Sequence, residues 1–96
     1  MTRITLHYPT LEDAAFRFER RSADMDELRQ HLLARMEQLR GGWMGDAADA
    51  FFFEMDESIL PALRRLIVAL QAGHDVSYRI METMREAENN AAHLFK

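Results

Sequence analysis

Gly41-Gly42-Trp43-Met44-Gly45-Asp46 gathers three of the chain's four glycines and its only tryptophan into six residues. On its N-terminal side Leu11, Phe18, Met25, Leu32 and Leu39 recur every seven residues, which marks one face of a helix. On its C-terminal side Phe52, Ile59, Leu66, Ile80 and Leu94 keep the same seven-residue spacing. Gly41 and Gly42 predict a left-handed backbone that ends the first helix, and Asp46 is expected to cap the second by accepting hydrogen bonds from its free N–H groups. The fold class is therefore all-α, a helix-turn-helix hairpin of two long antiparallel helices.

Ninety-six residues make one domain, and a domain this small buries only about 60% of the surface its unfolded chain exposes. Yet 48% of the residues are hydrophobic, too many for a disordered chain. A two-helix core is thin for that load, so the hairpin is expected to dimerise into a four-helix bundle. There is no cysteine, which leaves disulfides and thiolate metal sites out of account. A net charge of −4 without a Lys/Arg stripe argues against nucleic acid as a partner. Arg20-Arg21 and Arg64-Arg65 read as pairs on solvated faces. The apolar run Leu66–Leu70 is far short of the roughly 20 residues that cross a bilayer, so no membrane insertion is expected. Met1–Pro9 holds Arg3 but no apolar stretch, which predicts no cleavable signal peptide.

In chain order, residues 1–9 read as an extended arm, because Ile4, Leu6 and Tyr8 alternate with polar residues and Pro9 biases Tyr8 towards extended geometry. Thr10 stands where an N-cap belongs, with Asp13 three residues on. The first helix is expected over about 11–40, about 45 Å long at a rise of roughly 1.5 Å per residue. Its second seam reads as uneven, Ala14 and Leu28 sharing a heptad position with Arg21 and Arg35. The turn occupies 41–45 and the second helix about 46–84. Pro61 predicts a kink near Glu57–Leu60, since proline removes a backbone donor and clashes with the preceding turn. Gly73 interrupts the apolar grid, either as a point of close helix approach or as a weak point. Residues 85–96 form a tail with little to bury before Leu94-Phe95. Phe51, Phe52 and Phe53 sweep about 200° of helix circumference, more than one neighbouring helix covers. With Met55, Ile59, Leu63 and Leu66 they make the expected dimer interface.

No motif for catalysis is visible, and the chain does not read as an enzyme. None of His7, His31, His74 or His93 has a glutamate three residues before it, as a di-iron bundle requires. Glu27 with His31, and Glu82 with Glu86, are pairs one turn apart and too few for a metal. The glycines of the turn fit neither the dinucleotide nor the Walker pattern, so no cofactor is expected. The seven methionines read as core filler or as an adaptable partner groove.

Trp43 and Gly45 in a turn at mid-chain, Ala48 and Phe51 after them, and heptads on either side resemble the WXG family of small helical-hairpin proteins, the early-secreted-antigen type of type VII secretion. The resemblance implies a substrate or targeting subunit, made in the bacterial cytoplasm and secreted without a cleavable signal peptide as a folded dimer. Its partners would be itself or a sister WXG-type protein, and a secretion ATPase of the FtsK type. It also implies a tail signal of the form Tyr-x-x-x-Asp/Glu, matched by Tyr78 and Glu82, or a looser one matched by Met84, Glu88, Ala91 and Phe95. The alternative reading is a cytoplasmic coiled-coil adaptor or chaperone, and a weaker one a helical-bundle enzyme or metal store.

Overall fold

The computed structural model describes residues 8–94, and within them every long element is helical. Helix α1 spans Tyr8–Arg40, and α2 spans Asp46–Glu54. A π-helical turn, Met55–Ile59, joins α2 without a break to α3, Leu60–Leu94. The two arms lie side by side as an elongated hairpin measuring 75 × 22 × 17 Å. Its radius of gyration is 21.6 Å, against roughly 12–13 Å for a compact chain of this length. There is no centre to bury into, only a seam.

Helix α1 starts at Tyr8, three residues before the expected first position. Pro9 falls in its first turn, where the N–H it lacks has no helical partner to lose. Tyr8 and Pro9 are thus helical rather than extended, and Thr10 lies inside the helix rather than capping it; the rest of the expected arm, residues 1–7, is outside the described residues. At the other end α3 runs through the expected tail to Leu94, because Glu86-Ala87-Glu88 and Ala91-Ala92 are helix-favouring residues. The remainder of the tail, Phe95 and Lys96, lies outside the described residues.

The buried face of α1 alternates two rows. Of the expected row, Leu11, Met25 and Leu32 are half-buried while Phe18 and Leu39 are left 36% and 43% exposed, and the second row is Ala15, Ser22 and Met36, with Arg29 half-buried between them. This corrects the expected row of Ala14 and Leu28; Leu28 lies on the outer flank, 44% exposed. Arg29 tolerates the position by carrying its guanidinium to Asp26, 3.1 Å away. The acids and arginines of the outer face pair along the helix, as Arg17 does with Asp13 at 2.9 Å.

The second arm departs further from the grid. Ala48, Phe52 and Met55 are buried with Met36 in one cluster, against which Leu32 and Leu60 pack. Beyond Met55 the buried row steps five residues to Leu60, then by threes and fours through Leu63, Ile67, Leu70, His74, Ser77, Met81 and Met84. Ile59, Leu66 and Ile80, on the expected grid, are left 43%, 45% and 37% exposed. The cause is the π-turn, in which the Leu60 N–H donates to the Met55 carbonyl, five residues back. It is the form taken by the irregularity expected near Pro61. Gly73 is a point of close approach, since a Cβ there would stand 2.8 Å from the Phe18 ring.

Candidate interaction surfaces at the turn and the tail

The turn closes on one carbonyl. Leu39 C=O accepts from Gly42 N–H at 3.1 Å and from Trp43 N–H at 2.8 Å, which ends α1. Neither Gly41 nor Gly42 is left-handed; Gly45 is the one residue with positive φ among those described. At φ 113° and ψ 178° it occupies a region essentially closed to residues with a Cβ. Gly45 is also the N-cap of α2, its carbonyl accepting from Asp49 N–H at 3.0 Å. Asp46 is the first residue of the helix rather than its cap, and no side chain caps α2. Asp46 and Asp49 both stand in the first turn, where the helix dipole favours negative charge.

Trp43 lies on the surface of this turn, 39% exposed. Its ring is 5.4 Å from Phe51 and 5.9 Å from Phe52, and those two rings are 5.4 Å apart at a steep angle. The three rings form a triangle in edge and tilted contacts, each supporting the others. Phe52 alone goes inward. Its ring carries the Arg40 guanidinium 4.4 Å above its centroid, and Arg40 donates to both carboxylate oxygens of Asp56, at 3.2 and 3.0 Å. Arg40 and Asp56 thus clasp the arms beside the turn. Sequence reasoning missed both, and the only signal available was opposite charge at two places flanking the glycines.

The phenylalanine triplet divides by rotation as its spacing requires. Phe52 is buried, Phe51 38% exposed and Phe53 68% exposed. Of the expected interface, Phe52 and Met55 are therefore spent on their own chain and Leu63 is half-buried, while Phe51, Phe53, Ile59 and Leu66 remain open.

Towards the tail, Tyr78 and Glu82 are both exposed and one helical turn apart. The Tyr78 ring rests on His74, centroids 4.9 Å apart; His74 in turn lies 3.1 Å from Asp75 and 3.7 Å from Glu19. The looser set points elsewhere. Met84 is half-buried in the seam, Glu88 and Ala91 continue its row exposed, and Phe95 is outside the described residues. Glu88 lies near Tyr8, whose ring faces the Arg85 guanidinium at 5.5 Å. Burial together with the Glu88 carboxylate pushes the Tyr8 phenol above its ordinary pKa.

Among the described residues no group of three or more metal-ligating side chains occurs, and no helix is long and apolar enough to cross a membrane. The exposed features are a glycine-locked aromatic turn at one end and the helix-borne Tyr78-Glu82 pair near the other. One family matches, described as proteins of 100 residues with WXG, over residues 3–89. The chain belongs to the WXG100 family. WXG100 proteins are small helical proteins associated with the substrates of type VII secretion, and their name-giving motif is here Trp43-Met44-Gly45. No curated protein and no solved structure matches the chain.

Proposed function

We infer that this WXG100 chain is a type VII secretion substrate or targeting subunit that leaves the cell as a folded pair of hairpins, acting through protein contact and not through a reaction. The observation that carries the pairing is the apolar row Ile59, Leu66 and Ile80, left 43%, 45% and 37% exposed on the hairpin. Burying each such side chain is worth about 1.5–3 kcal/mol, so a second hairpin gains most of what a single one leaves in water. The occupant is a second copy, because the same row on each chain is complementary to itself under two-fold symmetry.

If the second hairpin packs antiparallel, its tail runs beside the first chain's turn. Tyr78 and Glu82 of one chain then stand near Trp43 of the other, whereas within one chain they lie about 50 Å of helix away at the roughly 1.5 Å rise. A secretion ATPase of the FtsK type reads this composite. Tyr78-Glu82 is preferred to the looser set because both its members are exposed while Met84 is committed to the seam.

The test co-expresses, with distinguishable tags, a Trp43→Ala chain and a Tyr78→Ala, Glu82→Ala chain, and measures which pairs are exported. The mixed pair keeps one intact composite and is exported, while each mutant homodimer is retained. Equal export of all three removes both motifs as signals and makes a cytoplasmic adaptor the better reading.

A further inference from the structure

Between Met55 and Leu60 the buried row takes a step of five, and everywhere else in α2 and α3 steps of three or four. That one extra residue decides which side of α3 meets α1. The row beginning at Leu60 is the one buried now. One residue earlier on each turn runs Ile59, Ala62, Leu66, Ala69, Gly73 and Val76, continuing to Ile80, also free of charge. An unbroken α-helix through residues 55–59 would carry the stripe of Ala48, Phe52 and Met55 straight on to Ile59, Ala62 and Leu66 by steps of three and four. The sequence therefore holds two self-consistent continuations, one residue and about 100° of helix rotation apart.

Pro61 selects between them. Its ring supplies no N–H and collides with the carbonyl four residues back, and widening the helix ahead of it relieves that collision. The Leu60 N–H reaches back to Met55 at this point. We propose that the Met55–Ile59 π-turn sets the register of α3 and that Pro61 holds it there. With it, the Leu60 row packs on α1, Gly73 of the Ile59 row lies against Phe18, and Ile59, Leu66 and Ile80 of that row stay exposed. Without it, α3 turns by one residue, the Ile59 row packs on α1, and the Leu60 row swings out on the opposite flank, beside Glu19 and Asp26. The two packings are matched in kind. The Ile59 row has less volume at Ala62, Ala69 and Gly73, but it lacks the polar interruptions His74 and Ser77 of the present seam. A single residue can decide the register only where two packings of one sequence lie close in stability.

The register choice lies within one chain, so its test is independent of export. Ala23 and Asp75 line the same cleft between α1 and α3, and the chain has no cysteine. Nitroxide labels at Ala23→Cys and Asp75→Cys, diluted with unlabelled protein, report one intrachain distance by pulsed dipolar electron spin resonance. The natural turn gives a single short distance. Pro61→Ala gives a second population, longer by up to about 8 Å, the chord swept by a side chain rotating 100° on a helix roughly 10 Å across. Deleting Ser58 from the Pro61→Ala chain removes the spare residue and restores the short distance alone. A single unchanged distance in Pro61→Ala overturns the proposal that Pro61 holds the register. So does a second distance that survives the Ser58 deletion, since it then reports loosening and not register.

Discussion

Gly45 and Trp43 are adjacent members of one motif with different physics. Gly45 is fixed by backbone geometry, φ 113° with ψ 178°, so Gly45→Ala should cost about 1–3 kcal/mol in urea unfolding. Gly42→Ala is expected to be neutral or slightly stabilising, because Gly42 has ordinary φ and an added Cβ meets nothing within 4 Å. Equal losses at both positions would contradict this assignment. The sequence makes the three glycines of the turn look alike, since composition carries no φ; the pairing of Gly41 with Gly42 draws the eye to the wrong two. Trp43 is held by two ring contacts on an otherwise open surface. Trp43→Ala should therefore cost roughly 1–2 kcal/mol, below the roughly 3–5 of a fully buried aromatic, and the variant should stay folded while export falls. A Trp43→Ala chain that unfolds at room temperature would make the ring structural first.

At the scale of the element, the heptad grid shows that two long helices exist, but it shows their facing rows only in part. On α1 the expected row holds at Leu11, Met25 and Leu32 but not at Phe18 and Leu39, which are left exposed. On α3 the grid points to Ile59, Leu66 and Ile80, and these are the residues left open. Counting in sevens assumes a uniform helix, and one π-turn shifts every later residue by about 100°. Pro61 announces an irregularity there but not its kind, since a kink and an inserted residue are equally allowed by a missing N–H. The difference is measurable at neighbouring positions. Ile67→Ala should lower hairpin stability by about 2–5 kcal/mol at every protein concentration, as for other buried aliphatics. Leu66→Ala should cost clearly less in dilute solution, where no partner covers the side chain. A reversed order would place α3 in the other register.

For the whole molecule, the hairpin architecture and the absence of a compact core follow from sequence alone, since a glycine-broken pair of amphipathic stripes has few other ways to bury itself. The Arg40–Asp56 clasp and the support of Tyr78 by His74 do not, because they depend on which residues the two arms bring opposite each other. The rod that results leaves an apolar row open, and the proposed pairing would cover it. Pairing would also supply the composite of turn and tail on which the proposed export depends. Light scattering on the purified chain at micromolar concentration reads it directly: the natural chain should show the mass of two chains, and Leu66→Glu with Ile80→Glu the mass of one with its helix content retained, whereas a stable, non-aggregating monomer of the natural chain would contradict the account.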